Sequence, residues 1–314
     1  MLKVGLLVGR ERSFPDALIA EINGRNCGVE AEYVKVGEFA AGSSTEYQVI
    51  VDRISHEVVF YQPFLKACAL AGSYIINNPF WRLADDKFFG VNLAEKLGIA
   101  VPKTMILPSR SYPESIISES LRNLKLIDWE EVVAYTGLPA FLKPHWGGGW
   151  KDVSKVNSIH QLIERYNRSG QLCMMVQEEI KWQQYVRCIV IGRKEVLITN
   201  WDPTKPHFER YKDSHQKLSP KLEQTVREQA IKLNEALGYD MNTVEFAIRD
   251  GVPYAIDFMN SAPDFDITSL TERYFPWVVK VMADLCIEKA QQVAQSKPVY
   301  RWDYLINIAA GGKK

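Results

Sequence analysis

The sequence has no excess of either charge, because Lys plus Arg and Asp plus Glu each number 38 in 314 residues. A neutral chain has no overall basic surface, so we expect no nucleic-acid partner. Long apolar runs are also missing. The first apolar segment, residues 4–8, stops at Gly9 and Arg10, which is too short for a signal-peptide core. No later stretch approaches a membrane span. We therefore expect a cytoplasmic protein with no membrane partner.

Paired cysteines are missing as well. The five cysteines are scattered, and no Cys-x-x-Cys pair occurs, which argues against a zinc site or a disulfide framework. We expect reduced and mostly buried thiols. The hydrophobic content of 46% and charged content of 24% are ordinary for a globular enzyme. The length suits two or three lobes around a cleft.

The first 100 residues alternate between strand-like and helical patterns, which predicts a parallel sheet with helices on its faces. Strands are predicted at 2–8, 33–36, 49–51 and 74–76, and helices at 14–22 and 63–71. Ligands of such sheets bind at the carboxyl ends of the strands, where Gly9-Arg10 and residues 52–55 lie. Arg53 in this position is equally consistent with a surface ion pair and with a substrate contact.

The pattern changes after a helix at 85–97, which Gly98 and Pro102 end. Residues 101–182 predict a small mixed lobe and residues 183–300 a larger one, followed by a tail at 301–314. In the small lobe, strands are predicted at 103–107, 140–143 and 174–179, and helices at 112–124, at 129–136 and from Ser158. In the large lobe, hairpins are predicted at 186–199 and 243–258, and helices from the Ser219 cap to 237 and at 276–294.

A glycine-rich segment follows the strand at 140–143. Lys143 ends that strand, and Gly147, Gly148 and Gly149 follow within a few residues. Consecutive glycines let backbone N–H groups approach an anion, although no Gly-Lys-Ser/Thr of a Walker loop follows. By itself the pattern fits a simple glycine-rich turn at least as well as a phosphate site. Trp146 and Trp150 flank the loop, and we expect it to be mobile until phosphate binds.

The hairpin at 243–258 carries Glu245 and Asp257, with Asn260 just beyond it. A two-residue turn at Asp250-Gly251 would place the two carboxylates on opposite faces, and a three-residue turn at 249–251 would place them on one face. We predict the three-residue turn, because it gathers the bulky apolar side chains on the other face. Two carboxylates and an amide oxygen suit Mg²⁺, whereas the alternative is a solvated polar face.

Several motifs now stand in a fixed order. They are Asp86-Lys87, Lys143-Pro144 with its glycine loop, the apolar segment 174–180 ending in Glu178-Glu179-Ile180, Val186-Arg187-Cys188, and Glu245 with Asp257 and Asn260-Ser261-Ala262-Pro263. Over residues 75–265 this order resembles the ATP-grasp superfamily, particularly glutathione synthetase-like and ribosomal-protein glutamate ligase-like carboxylate–amine ligases. The resemblance implies an α/β ATP-grasp fold, with an N-terminal parallel-sheet domain at 1–100 and two α+β lobes that clasp ATP.

The resemblance also implies residue roles for the nucleotide. Lys87 and Lys143 match the lysines that reach the ATP phosphates, and Gly147, Gly148 and Gly149 match the loop that closes over them. Glu178 matches the acid near the adenine amino group, with backbone groups of Glu179 and Ile180 beside it.

For catalysis, the resemblance implies that Arg187 and Lys143 act on the γ-phosphate and acyl phosphate. Glu245, Asp257 and Asn260 match the ligands of Mg²⁺, with Mn²⁺ as an alternative. The implied reaction transfers phosphate from ATP to a carboxylate and so forms an acyl phosphate. An amine, from an amino acid or a peptide, then attacks this acyl phosphate. A homodimer of this chain is compatible with the sequence. The alternatives are a small-molecule kinase of the same fold and a non-catalytic nucleotide-binding protein.

The sequence departs from the family at several positions. Asp257 and Asn260 are three residues apart instead of two, which predicts a bulge that re-aims one of them. Residues 183–185, Gln-Gln-Tyr, stand where an acid usually binds the ribose, and Thr243 replaces a frequent arginine.

Overall fold

The computed structural model describes residues 1–80, 86–206, 209–211, 217–296 and 298. The predicted tail at 301–314 and the predicted helix start at residue 85 lie outside these residues. The chain forms two compact units. The first comprises Met1–Ala84, Tyr185–Phe246 and Asp257–Lys314, and the second comprises Asp85–Gln184 and Ala247–Ile256. The architecture is mixed α/β with one parallel sheet and antiparallel pairing elsewhere, as predicted. The domain boundaries at 100, 182 and 300 stay a prediction.

The first unit contains the predicted parallel sheet, with strand order β2-β1-β3-β4. Its strands are β1 Leu2–Leu7, β2 Val29–Tyr33, β3 Val49–Asp52 and β4 Tyr74–Ile76, and its helices are α1 Ser13–Gly24 and α2 Tyr61–Ala71. The strand predicted at 33–36 is wrong, because β2 precedes it. Val29 and Ala31 are buried and Glu30 is exposed, so the strand follows this alternation.

The second unit contains an antiparallel sheet with strand order β5-β8-β6-β7. Its strands are β5 Thr104–Ile106, β6 Ala140–Pro144, β7 Ser154–Val156 and β8 Met174–Glu178, and its helices are α3 Lys87–Lys96, α4 Trp129–Thr136 and α5 Ile159–Asn167. The helix predicted at 112–124 is wrong. Only a 3₁₀ turn, Ser118–Leu121, forms there, and none of its residues is buried, so no apolar face stabilises a longer helix.

The third sheet has strand order β10-β9-β11-β12. Its strands are β9 Gln184–Ile191, β10 Glu195–Asn200, β11 Met241–Arg249 and β12 Val252–Asp257. Helix α6, Pro220–Leu237, begins after the predicted Ser219 cap and ends at Gly238. Helix α7, Ile267–Gln295, begins earlier than the predicted residue 276, since Asp266 caps it, and it is interrupted at Thr271. Within the described part of the chain, no helix has the length and apolar character needed to cross a bilayer.

All five cysteines are free thiols, and Cys68, Cys188 and Cys286 are buried. Burial raises the pKa of the Cys68 thiol to about 11 and that of Cys286 to about 12. Thiols with such pKa values carry little thiolate at neutral pH, so these two buried cysteines are not suited to nucleophilic chemistry.

Candidate functional site

The turn between β11 and β12 consists of Asp250 and Gly251, with φ of 53° and 76°. Two successive left-handed residues are typical of a two-residue hairpin turn, so the predicted three-residue turn is wrong. The side-chain pattern was misleading because β11 is buried on both faces. Thr243 and Val244, which point to opposite faces, are both fully buried. Apolar alternation therefore did not identify one core face in this strand.

Glu245, on β11, lies in a polar cluster with side chains from β9. Its carboxylate accepts a hydrogen bond from the Tyr185 hydroxyl at 2.7 Å, and its Oε1 lies 3.8 Å from Arg187 Nε. Arg187 also donates from Nη2 to the Thr243 hydroxyl at 2.9 Å. Both charged side chains are little exposed, 11% for Arg187 and 14% for Glu245. The structure thus brings the predicted catalytic arginine beside the first predicted metal ligand.

The electrostatics of the cluster connect Glu245 to Asp257. Burial raises the pKa of the Glu245 carboxyl, the Arg187 charge lowers it, and the Asp257 charge raises it further. The net result is a pKa above the ordinary value. Burial opposes the charge of Arg187, but Tyr211, Glu245 and Asp257 together raise its pKa. The Asp257 charge therefore acts on Glu245, although a two-residue turn by itself would place the two side chains on opposite faces of the hairpin.

Arg187 also packs against an aromatic side chain. Its guanidinium lies 4.3 Å from the centre of the Trp201 ring, which is itself 4.6 Å from the Tyr211 ring. Within the described residues, the buried Arg187 Nε has no hydrogen-bond partner. A buried guanidinium N–H without a partner carries a free-energy cost that an incoming anion would remove.

Asn260, the third predicted metal ligand, is held by Asn242. The Asn242 side chain donates to the Phe258 carbonyl and accepts from the Asn260 N–H, both at 2.8 Å. The Asn260 amide nitrogen donates to the Thr243 carbonyl at 3.3 Å, a bond that does not use its amide oxygen. Strand β12 ends at Asp257. The unusual spacing between Asp257 and Asn260 is therefore accommodated after the end of β12. There the Asn242 side chain forms hydrogen bonds with the backbone of Phe258 and of Asn260.

These residues fit a hard divalent cation by their chemistry, since they offer two carboxylates and one amide oxygen. Metal binding requires the Glu245 carboxyl to be ionised, and the nearby Arg187 charge favours that form. Among the described residues, no three His, Cys, Asp or Glu side chains are grouped as a metal site. The metal assignment of Glu245, Asp257 and Asn260 stays a prediction.

The predicted phosphate-binding residues lie in the second unit. Lys87 begins α3, and its Nζ donates to the Gly147 carbonyl at 2.5 Å while its backbone N–H donates to the His145 carbonyl at 2.8 Å. Lys143 donates to Gln177 Oε1 at 2.7 Å across the β6–β8 pair. Lys87 is thus brought to the glycine loop, as the predicted role requires, and Lys143 lies on the sheet that leads into that loop.

The glycine loop itself is open. Gly147 and Gly149 have φ of 100° and 69°, and a Cβ added at Gly147, Gly148 or Gly149 would meet nothing within 4 Å. Trp146 and Trp150 are 53% and 56% exposed. The glycines therefore serve backbone conformation at positions 147 and 149, not close packing. The predicted motion of the loop is untested.

Glu178, the predicted adenine acid, is already engaged. Its Oε1 accepts from Arg249 Nη1 at 2.9 Å, and its Oε2 accepts from the Lys103 N–H at 3.2 Å. Glu179 pairs with Lys155 at 2.6 Å, and Ile180 is buried. The sequence analysis did not predict that Arg249 contacts this acid. The one sequence feature that pointed to Arg249 was its position next to the Asp-Gly turn.

Tyr185 is a second residue that sequence reasoning did not assign. Burial raises the pKa of its hydroxyl well above the ordinary value, and the Glu245 charge raises it further. The hydroxyl therefore stays protonated and acts as a hydrogen-bond donor to Glu245. Its one sequence signal was the stretch Gln183-Gln184-Tyr185, where the family usually has an acid.

No protein-family model matches the chain. A D-alanine–D-alanine ligase from Flavobacterium psychrophilum is 22% identical over 241 residues, which cover 71% of this chain and 72% of that protein.

Solved structures match most of the chain. An ATP-grasp RimK domain protein from Sphaerobacter thermophilus superposes with a TM-score of 0.64 at 22% identity, covering 91% of this chain and 99% of that one. A D-alanine–D-alanine ligase from Bacillus anthracis complexed with ATP gives 0.63 at 15% identity, covering 95% and 100%. The ATP-grasp ligase PsnB complexed with a minimal precursor gives 0.62 at 14% identity, covering 92% and 99%. The chain has the ATP-grasp fold, as the motif order predicted.

Proposed function

We propose that this chain, with its ATP-grasp fold, is an ATP-dependent, ADP-forming ligase that joins a carboxylate to an amine through an acyl phosphate. The observation that carries the proposal is the buried pair of Arg187 and Glu245, with the charge of Asp257 acting on both. Arg187 is a fixed cation near carboxylates, and its Nε has no hydrogen-bond partner among the described residues. Such a cation suits a reaction in which negative charge moves between phosphate and carboxylate.

The first step would transfer the γ-phosphoryl group. A carboxylate oxygen of the substrate attacks the γ-phosphorus, the bond from that phosphorus to the bridging oxygen breaks, and ADP leaves. Arg187 would stabilise the charge on the transferred group through the N–H that lacks a partner. Its stacking on Trp201 and its bond to Thr243 hold the guanidinium in one orientation, so little reorganisation is needed during the reaction.

The second step would form the C–N bond. The amine nitrogen attacks the acyl carbon, the C–O bond to phosphate breaks, orthophosphate leaves and the nitrogen loses a proton. Because an acyl phosphate hydrolyses readily, the site must exclude water at this stage. The open glycine loop at Gly147 and Gly149 is the segment that we propose closes for this purpose.

Glu245, Asp257 and Asn260 would hold Mg²⁺, or Mn²⁺ in its place. When bound, the metal neutralises phosphate charge. Asn242 supports this set through its bonds to the Phe258 carbonyl and the Asn260 N–H.

The nucleotide would be bound by residues of the second unit. Lys87 and Lys143 supply positive charge for the phosphates, and the segment Glu178 to Ile180 supplies contacts to adenine. Glu178 would have to share its carboxylate with Arg249 or exchange that partner for the adenine amino group. The structurally similar ligase from Bacillus anthracis was solved with ATP, and a structure of PsnB contains Mg and ADP. These two structures support ATP and magnesium as the cofactors.

The test is formation of ADP and orthophosphate from ATP across a panel of carboxylates, with and without amino acids or peptides. We expect turnover that depends on both substrates. Phosphate that stays on the acceptor without an amine would indicate a kinase instead. No conversion of ATP across broad panels would indicate a non-catalytic nucleotide-binding protein.

A variant pair tests the metal assignment. We expect Asp257→Asn to lower turnover at least about 100-fold with the fold intact, since a bound metal stabilises the transition state by several kcal/mol. Asp250→Asn, the same change in the turn of the same hairpin, should retain full turnover, because asparagine also tolerates its φ of 53°. A well-folded Asp257→Asn variant with unchanged turnover would refute the metal role.

A further inference from the structure

The segment that follows Asn260 contacts the N-terminal part of the first unit at four residues, 261, 263, 265 and 266. The Ser261 carbonyl accepts from Asn77 Nδ2 at 3.0 Å, and the Pro263 carbonyl accepts from Arg53 Nη2 at 2.6 Å. Next along the chain, the Phe265 ring packs edge-on against Phe14 at 5.1 Å, and Asp266 accepts from the Ser13 hydroxyl at 2.8 Å. Residues 261–266, which follow the β11–β12 hairpin, are therefore held in place by contacts from the N-terminal part of the chain.

Arg53 makes the most contacts in this set. Its Nε and Nη2 bind the two carboxylate oxygens of Glu11 at 2.9 and 2.7 Å, and its Nη1 lies 3.5 Å from Met241 Sδ. The rings of Phe14 and Phe265 lie 5.2 and 5.1 Å from its guanidinium carbon. The Arg53 side chain is only 4% exposed and is paired with Glu11, so the structure shows an ion pair that is buried and not, as the sequence suggested, at the surface.

Asn77 joins the same two parts of the chain. Its Oδ1 accepts from the N–H groups of Asp240 and Met241 at 2.7 and 2.8 Å. Its Nδ2 donates to the Met241 carbonyl at 2.8 Å as well as to Ser261. Arg53 and Asn77 thus both connect the start of β11, the strand of Glu245, to the segment directly after Asn260.

A buried arginine is expensive to desolvate, and Glu11 compensates its charge. A planar guanidinium bound at both oxygens of one carboxylate has a fixed orientation, so the position of the Pro263 carbonyl follows from that of β3 and Glu11. Outer residues that orient metal ligands affect affinity strongly, although they never touch the ion.

We propose that Arg53 is a positioning residue for the candidate metal site, holding the backbone after Asn260 in place relative to β11. The proposal rests on the metal role of Glu245, Asp257 and Asn260 put forward above. It assigns to the N-terminal sheet a role in metal binding that acts through Pro263 and leaves Arg53 itself out of contact with the ion.

The test measures Mn²⁺ affinity in the presence of a non-hydrolysable ATP analogue, with free Mn²⁺ quantified by electron paramagnetic resonance. We expect Arg53→Met to weaken Mn²⁺ binding about 10-fold or more. The matched control is Arg25→Met. Arg25 also pairs with carboxylates, Glu21 and Asp284, and donates to a backbone carbonyl, that of Lys280, but its contacts lie away from the segment after Asn260. Arg25→Met should bind Mn²⁺ as the wild type does.

Milder variants keep the proposal testable if Arg53→Met does not fold. Arg53→Lys keeps the charge but loses the two-pronged contact with Glu11, and Glu11→Gln keeps Arg53 but loses its charge partner. Both should weaken Mn²⁺ binding while circular dichroism stays unchanged. Wild-type binding in folded Arg53 variants, or equal weakening in the Arg25 control, would overturn the positioning role and leave the proposed ligase intact. Failure of the wild type to bind Mn²⁺ with the analogue would overturn both.

Discussion

Replacing Arg187 with methionine removes a buried cation and leaves the Glu245 carboxylate beside it without its main compensating charge. Arg187 is the largest favourable charge acting on Glu245, whereas Arg187 itself has Glu245, Asp257 and Asp264 around it. The dependence is therefore unequal. Glu245 relies on one arginine more than the arginine relies on any one acid.

The magnitudes follow from this inequality. Arg187→Met should lower the free energy of unfolding by about 3–5 kcal/mol, the cost of leaving a buried charge uncompensated. Glu245→Gln should cost about 1–3 kcal/mol, because glutamine still accepts the Tyr185 hydrogen bond and the arginine keeps its other acids. The double variant should be more stable than Arg187→Met alone, which requires a coupling energy larger than the cost of Glu245→Gln, at the upper end of the usual range of about 0.5–3 kcal/mol.

Urea unfolding at pH 7 without nucleotide, followed by circular dichroism, measures all four corners of this cycle. Repeating it near pH 5 should shrink the loss in Arg187→Met, because loss of the cation raises the pKa of Glu245 further and the carboxyl then takes up a proton. ATP turnover should fall at least about 1,000-fold in Arg187→Met, the scale of an arginine that stabilises phosphoryl transfer.

The control is the exposed pair of Arg168 and Glu164, which is closer, at 2.6 Å, but 66% and 44% exposed. The cycle Arg168→Met and Glu164→Gln should show much weaker coupling, because water screens exposed ion pairs. Additive losses in the Arg187–Glu245 cycle, or coupling no larger than in the control, would refute the idea that Arg187 neutralises Glu245.

Three further predictions concern Glu245 and the glycine loop. In the nucleotide-free protein, the raised pKa of Glu245 contributes stability that is complete below its ordinary value of 4.5 and is lost as pH rises through the higher folded value, so the melting temperature should fall over that range and Glu245→Gln should flatten the fall. Gly149→Ala should raise the KM for ATP about fivefold, from about 1 kcal/mol of strain at a left-handed φ, whereas Gly148→Ala, with equal space for a Cβ, should leave it unchanged; equal effects would contradict this. Trp146 and Trp150, both more than half exposed, should change in fluorescence when ATP and Mg²⁺ close the loop, and identical spectra would indicate a rigid turn.

Local signals accounted for the elements that the sequence predicted well. Helix α6 lies between Ser219, whose side chain accepts from the Leu222 N–H, and Gly238, which has a φ of 67°. Each end of this helix is set by a capping residue directly next to it in the chain, so both ends can be predicted from the sequence. The 112–124 segment has no buried residue, and a short helix depends on packing of an apolar face for its stability.

The order of the motifs carried a family resemblance that implied the ATP-grasp fold and assigned Arg187 and Glu245 to one candidate site. Only the tertiary structure decided what surrounds each of them, because the partners are far apart in the chain. Tyr185 meets Glu245 across 60 residues, and Arg53 meets Pro263 across 210. A sequence pattern records which side chains alternate along one strand, but a strand buried on both faces no longer shows which face holds the site. Burial and long-range hydrogen bonds set that choice, and they exist only after the strands have paired.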